Sequence, residues 1–337
     1  MSFSLEQIAN HVDGLVVGDS DYIIEKLGTL EHADAQALSF LANPKYRSQL
    51  ATTQAGAVLI RDKADAEVVK NGVLVANPYL AFAKLTQLFD NRPKPLASIH
   101  ASATIAQDVS LGKNLKIAPN VVIEEGAVIG DNVEIGANSV IGGRVKVGAN
   151  TRIAANVSIY YDVEIGTDCL LHSGCVIGAD GFGFAPSSEG WVKIMQLAAV
   201  TLGNGVEVGA NTTIDRGALE NTQIGNGVII DNQVQIAHNV IIGDNSAIAG
   251  CSAIAGSTQI GQGCTISGGV GIIGHLTIVD GVHITAMSLV SKSIHKPGSY
   301  SSGTGLDSTD KWRKSAARLR RIDEMAKQIA NLEHKLK

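Results

Sequence analysis

Aromatic residues are scarce, at 4% of the 337-residue chain, and prolines number only seven. With so few rings, the core must be drawn from aliphatic side chains. Basic excess is also missing: the formal net charge is −5, which gives no global case for nucleic acid as a partner. The four cysteines, Cys169, Cys175, Cys251 and Cys264, show no CxxC spacing. No paired-thiol redox or zinc-ribbon motif is present, and reduced thiols in the cytoplasm are expected. The opening MSFSLEQIANHVDG has neither a basic n-region nor an apolar h-region, so no signal peptide is expected. Between Asn245 and Val279 there is no Asp, Glu, Lys or Arg over 35 residues. Gly, Ser, Thr and Gln interrupt that stretch every few positions. A spanning helix needs about 20 mostly apolar residues in a row, so no span is expected.

What is present is glycine, 37 residues of it, and a repeat. From Ile99, steps of six meet fourteen consecutive aliphatics, ending at Ile177. The pattern breaks at DGFGFAPSSEGWVKIMQ (180–196) and resumes at Leu202, Val208 and Ile214. Four extra residues then shift the phase, and sixes run on from Ile224 to Ile284 and Val290. Four places after each aliphatic stands a small or branched residue such as Val121, Val133, Ser139 or Thr151. Each unit therefore reads V-x-I, the period of a short strand with one buried face. Gly and Asn between units supply corners with φ > 0. Such units predict a parallel β-helix with three short strands per coil and aliphatics stacked inside. Cys169, Cys175 and Cys264 fall on the small inward position.

Residues 1–97 have a different texture and predict a small α/β domain. Ser4 to Gln7 reads as a helix-starting capping box. AVLIRD (57–62) and GVLVAN (72–77) read as buried strands. Asn77 and Pro78 open a helix over YLAFAKLTQLF, and Pro93 and Pro95 mark a linker. The β-helix is expected over 98–296, and a loop with a C-terminal helix over 297–337. In that tail Trp312, Ala316, Leu319, Ile322, Met325, Ile329, Leu332 and Leu336 form one helical stripe, expected to pack on partner chains. Residues 308–337 hold nine Lys or Arg against four Asp or Glu. A basic tail on an acidic body points to an acidic partner.

Six-residue repeats of this form resemble the hexapeptide acyltransferases. That resemblance implies a left-handed parallel β-helix assembled as a trimer. DGFGFA (180–185), TTIDRGAL (212–219), IDNQVQIAHNVIIG (230–243) and PGSYSSG (297–303) closely resemble one family within that group. It is the UDP-3-O-(3-hydroxyacyl)glucosamine N-acyltransferases of lipid A biosynthesis. SFLANPKY (39–46) resembles that family's nucleotide-binding segment, and the match covers essentially the whole chain.

The implied reaction moves a 3-hydroxyacyl group from acyl carrier protein to the 2-amine of a UDP-linked glucosamine. An amine attacks only as the free base, so a proton acceptor is needed, and histidine suits neutral pH. The resemblance carries that role onto His238, which stands on an outward turn. Gly256, one coil of eighteen residues further, is the candidate backbone oxyanion donor. His275 is a supporting candidate. Asp231, Asn232 and Gln235 are candidates for holding substrate or the pantetheine arm. Phe40, Asn43 and Tyr46 are candidates for stacking on and reading uracil. Met287 and Leu289 are candidates for closing an acyl groove, for which the charge-free stretch gives an apolar wall. Lys292, Arg313, Lys314, Arg318, Arg320 and Arg321 are candidates for docking the carrier protein.

No cofactor is expected, because the 4'-phosphopantetheine arrives on the carrier, and no metal is expected. The expected partners are acyl carrier protein, the UDP-sugar and two further copies of the chain, with sites between subunits. Nucleic acid is not expected, and membrane contact would be peripheral only. A γ-type zinc carbonic anhydrase shares the architecture, but it needs three converging histidines; His238, His275 and His283 exist, yet no close H-x4-H pair appears. An O-acylating hexapeptide transferase is the nearer alternative.

Overall fold

The computed structural model describes residues 1–92 and 98–336. The expected linker prolines, Pro93 and Pro95, lie outside the described residues. The chain divides into two compact units, Met1–Lys94 and Pro95–Lys337.

In the first unit the expected capping box is present. Ser4 Oγ accepts the Gln7 N–H at 3.2 Å while Gln7 Oε1 accepts the Ser4 N–H at 2.9 Å, starting the helix Leu5–His11. Asn77 caps the helix Pro78–Leu88 by accepting the N–H groups of Tyr79 and Leu80 at 3.1 Å. Five strands form one sheet in the order Leu15–Val17, Gly72–Leu74, Ala57–Ile60, Ala37–Phe40, Lys26–Leu27. Only the first pair is antiparallel. Leu5, Ile8, Leu59, Val73 and Leu85 are fully buried between helices and sheet.

The second unit is a parallel β-solenoid with three faces, of eleven, ten and nine strands among the described residues. The first face runs from Ser98–Ile99 to Gly298–Tyr300, the second from Thr104–Ile105 to Leu289–Val290, the third from Ser110–Leu111 to Thr277–Ile278. Strands pair one coil apart, as in Ile117↔Ile135 and Ile123↔Ile141. Inward aliphatics therefore stack in columns, and Ile135, Ile141, Ile236 and Ile254 are all at most 1% exposed. Each such side chain contributes about 1.5–3 kcal/mol of burial, which is why the hexad is kept so strictly.

The small inward position has a second use. Ser139 Oγ and Thr151 Oγ1 donate to the corner carbonyls of Ala154 and Gly166 at 2.9 Å, and the Cys169 thiol meets Gly203 O at 3.2 Å. Buried hydroxyls and thiols thus satisfy carbonyls the ladder leaves over. Asn120, Asn138 and Asn156 turn other corners at φ near 60°. Asn tolerates that left-handed geometry better than most residues.

The outer surfaces differ. On the first face Glu134 pairs with both Lys116 and Arg152. The ten outward residues in the repeating register of the second face, from Thr104 through Val140, Thr213, Gln235 and Gly271 to Leu289, carry no charge, and Asp215 is the carboxylate that ends one of its strands.

The C-terminal segment was expected as one helix and forms two, Thr309–Leu319 and Ile322–Leu336. Between them the chain tightens, with Arg321 N–H bonded to Arg318 O at 2.9 Å in a three-residue turn. Arg318 and Arg321 put like charges three residues apart there, which disfavours a continuous α-helix. The apolar stripe has no cover among the described residues: Trp312, Met325, Ile329 and Leu332 are all 45–59% exposed. Among the described residues no helix is long and apolar enough to cross a membrane.

Candidate functional site

The corner between the second and third faces carries every large irregularity of the solenoid. It turns regularly at Asp162, whose φ is 62°. One coil later the strand Val176–Ala179 runs into the insertion, whose hairpin pairs Phe184–Ser187 with Gly190–Lys193. On the following coil, strand Thr213–Asp215 runs into the four-residue slip. The insertion's return arm zips onto the slip, with Leu197 N–H bonded to Ala218 O at 2.8 Å and Ala198 N–H to Gly217 O at 3.1 Å. Arg216, 1% exposed, pins the stack. Its guanidinium donates to Gly178 O at 2.8 Å and Tyr161 O at 2.5 Å and lies 3.7 Å over the Tyr161 ring. The next coil places His238 at this corner, after strand Gln235–Ile236.

His238 occupies a slot between two residues without side chains. A Cβ on Gly256 would lie 2.7 Å from its Cε1 and Nε2, and a Cβ on Gly181 would lie 2.7 Å from its Cβ and 3.1 Å from Cγ and Cδ2. Asn239 then fixes the ring's proton. Its Oδ1 accepts the Ala218 N–H at 3.0 Å and its Nδ2 donates to Glu220 O at 2.7 Å. These backbone groups settle which end of the amide is oxygen. His238 Nδ1 sits 2.9 Å from that oxygen and must donate to it. The imidazole is therefore protonated at Nδ1 and presents the free lone pair of Nε2 beside Gly256.

The Gly256 N–H finds no acceptor among the described residues, whereas its neighbour Ser257 N–H bonds to His238 O at 3.0 Å. A free donor next to the basic nitrogen is what an oxyanion requires. His275 stands two coils above His238 but one residue out of its column. Its N–H bonds to Gly256 O at 2.9 Å, it has φ 61°, and its ring is exposed.

Beside the corner, Gln235 Nε2 donates to Asp215 Oδ2 at 2.8 Å, and Thr213 Oγ1 donates to Gln235 Oε1. Burial pushes the Asp215 carboxyl up to about 6, against the pull of the Gln235 hydrogen bond and of the nearby His238.

Asp231 and Asn232 belong to a different corner, between the first and second faces. Asp231 Oδ2 accepts the Gly250 N–H at 2.9 Å and Asn232 Oδ1 accepts the Ala210 N–H at 2.6 Å. They line a groove of about 770 Å³ with His172, Glu207 and Ile229. Met287 turns that same corner further on, at φ 59°, and Leu289 ends the second face; both are largely exposed. Lys292 lines a cavity of about 450 Å³ with Leu289, His295 and Lys296. Arg313 and Arg318 lie on the first terminal helix, and Arg320 and Arg321 at the turn after it, Arg321 paired with Glu324 at 3.0 Å.

In the N-terminal unit Phe40 stacks on Phe82 with centroids 4.1 Å apart. Asn43 caps the short helix Pro44–Ala51, and Tyr46 is 47% exposed. His238, His275 and His283 do not converge. His283 bonds to Thr265 Oγ1 at 2.7 Å on the first face, and no group of three candidate ligands exists among the described residues.

Sequence reasoning did not single out Asn239, Asp215, Arg216 or Gly181. All four lie inside the quoted motifs. Asn239 was masked by the many corner asparagines, and the other three have no signal outside the fold.

Residues 21–88 match the family described as UDP-3-O-(3-hydroxymyristoyl) glucosamine N-acyltransferase, LpxD. Residues 108–143, 126–160, 144–179 and 221–256 match the bacterial transferase hexapeptide repeat. The chain is 59% identical to the UDP-3-O-acylglucosamine N-acyltransferase of Marinomonas sp. (strain MWYL1), covering 100% of this chain and 98% of that one. It is 50% identical to the same-named protein of Pseudomonas aeruginosa (strain LESB58), covering 100% and 95%. The solved UDP-N-acetylglucosamine acyltransferase of Arabidopsis shares the solenoid, with a TM-score of 0.55 at 20% identity over 61% of this chain and 71% of that one. On full-length identity of this order, the chain belongs to the UDP-3-O-acylglucosamine N-acyltransferase family.

Proposed function

We propose that the chain transfers a 3-hydroxyacyl group from acyl carrier protein to the 2-amine of UDP-3-O-acylglucosamine, with His238 as general base. The observation that carries this is the locked tautomer: Nδ1 donates to Asn239, and Nε2 is left as the acceptor. The amine attacks the thioester carbonyl and a C–N bond forms. His238 Nε2 takes the amine proton, and the oxyanion falls to the free Gly256 N–H. Collapse breaks the C–S bond, and the imidazolium returns its proton to the departing thiolate. A positioned base contributes about 10²–10⁴-fold, and one oxyanion donor about 10²–10³-fold.

The remaining roles belong to the same proposal. Phe40, Asn43 and Tyr46 read the uracil. Gln235, Asp231, Asn232 and His275 hold substrate or the pantetheine arm. Met287 and Leu289 limit the acyl chain. Lys292, Arg313, Arg318, Arg320 and Arg321 meet the acidic carrier, which brings the phosphopantetheine, so no resident cofactor or metal is invoked. A homotrimer is supported by the second face, whose repeating outward positions carry no charge, and by the uncovered apolar stripe of the terminal helices. The cytoplasm, where acyl carrier protein is available, is the proposed location.

The test is mass-spectrometric detection of the N-acylated product from the two substrates, with His238→Ala in parallel. Wild-type product with a loss of at least a hundredfold in the variant supports the reading. Equal rates remove the base, and no product from either removes the substrate assignment.

A further inference from the structure

Asp215 is a carboxylate in a costly place. It is half-buried, and no lysine or arginine pairs with it among the described residues. Adjacent Arg216 turns its Nε to Gly178 O and its Nη2 to Tyr161 O, and it forms no ion pair with Asp215. The insertion's Asp180 and Lys193 pair with each other, and Asp162 pairs with Arg144 at 2.7 Å. The group that opposes the burial of Asp215, besides the Gln235 amide, is His238 when it is protonated. Cross-strand register explains their proximity. Thr213 pairs with Gln235 and Ile214 with Ile236, so Asp215 lies beneath Ala237, the residue before His238. The Gln235 amide, itself held by Thr213, keeps the carboxylate in place at 2.8 Å. Because Asn239 already occupies Nδ1, Asp215 is not needed as a hydrogen-bond partner of the ring.

We propose that Asp215 is the counter-charge of the imidazolium that forms when His238 takes the amine proton. This rests on His238 being the base. Asp215 is a positioning residue: it touches neither substrate nor reacting atoms and acts on His238 through its field. In a partly dehydrated corner such a field is worth more than it is in water. The raised carboxyl fits this placement, since burial outweighs the pull of the Gln235 hydrogen bond and of His238. At neutral pH it is ionised, and when the imidazolium appears the two charges offset each other.

The experiment is Asp215→Asn in the full-length protein. Asparagine keeps the acceptor for Gln235 Nε2 and removes only the charge. Two readouts are taken: an NMR titration of ¹⁵N-labelled histidine, with His238 assigned from a His238→Gln spectrum, and steady-state kinetics. The expected result is a fall in the His238 pKa of about half a unit or more. A drop in kcat of about tenfold should accompany it, with both KM values within about twofold. Asp215→Glu should restore part of both. If Asp215→Asn does not fold, Asp215→Ser removes the same charge and is read in the same way. An unmoved titration overturns the proposal, as does a moved titration with kcat intact or a loss confined to KM. Activity retained by His238→Ala would remove the base, and the proposal with it, while the titration still reports whether the two groups are coupled.

Discussion

Gly256→Ala is the sharpest perturbation of the slot. The new Cβ would sit 2.7 Å from His238 Nε2 and Cε1, where ordinary contact begins near 3.4 Å. Ring and coil must therefore separate by about 0.7 Å at the nitrogen that takes the proton. Misplacement by about 1 Å costs roughly a hundredfold in well-oriented reactions, so kcat should fall by about two orders of magnitude. Stability should fall by no more than about 2–3 kcal/mol. Gly256 is outside the left-handed region, so alanine meets no backbone strain there. The gain of about 0.4–1 kcal/mol from a stiffer unfolded chain offsets part of the 1–3 kcal/mol typical of overpacking. Gly181→Ala is the internal comparison. Its Cβ would press on His238 Cβ, Cγ and Cδ2, away from Nε2, from a segment that ends in a hairpin. Its loss should be nearer tenfold. Both variants would be followed by product formation under saturating substrates, with melting temperature as the control for folding. A Gly256→Ala enzyme within threefold of wild type, or a larger loss in Gly181→Ala, would refute the slot.

Other outcomes follow from the same geometry. Asn239→Gly keeps the φ of 59° at no strain but removes the acceptor for His238 Nδ1. It should cut kcat by at least about tenfold and mix the tautomers seen in ¹⁵N shifts; a pure Nδ1–H ring in that variant would contradict the assignment. Asp215 is raised to about 6 from 3.8, so between those values the native state keeps a proton the unfolded chain has lost. Stability therefore declines as pH rises through that window. Asp215→Asn should melt higher than wild type at pH 7.5, with the gap closing toward pH 4, and a lower melting point at pH 7.5 would count against the burial argument. A thiol reagent should modify one cysteine per native chain, the exposed Cys251. Cys169, Cys175 and Cys264 are buried, and burial pushes the Cys175 thiol up to about 12. Two or more reactive thiols before unfolding would mean that the coil opens.

The solenoid was legible because its physics is local. A V-x-I hexad whose two inward positions never carry a charge has one way to bury both, and Ile117, Ile135 and Ile153 stack as the period requires. The caps at Ser4 and Asn77 were equally readable, since a cap needs only three or four neighbouring residues. The break in the C-terminal helix was not, because no Gly or Pro marks it. At the site, His238 stood out as the odd residue in its repeat, and Gly256 followed from the eighteen-residue coil. Asp231 and Asn232 share His238's coil, but their hydrogen bonds lie at another corner, because six residues of solenoid turn the chain to the next face. Asn239 could not be separated from Asn120 or Asn138 by residue type. Its role depends on what the previous coil places beneath it.

What lies beneath it is the four-residue slip, and this gives the irregularity a function. In a regular coil the corner residue donates its N–H to the corner carbonyl one coil back, as Ser257 does to His238 O at 3.0 Å. At Asn239 the slip removes that carbonyl, and the N–H goes to Thr222 Oγ1 at 2.8 Å instead. The displaced backbone of Ala218 and Glu220 rises to the level of the Asn239 side chain and grips both ends of its amide. The insertion holds the slip in place through Leu197 and Ala198, and its Gly181 closes the slot from the far side. A perfect repeat would offer a corner asparagine only another corner asparagine, as Asn120 offers Asn138 at 3.2 Å. That pairing leaves the amide nothing with which to orient an imidazole. The two breaks in the repeat are therefore what make His238 a base of defined tautomer. Removing residues 217–220 to restore the six-residue phase should leave a better solenoid with no directed lone pair at its corner.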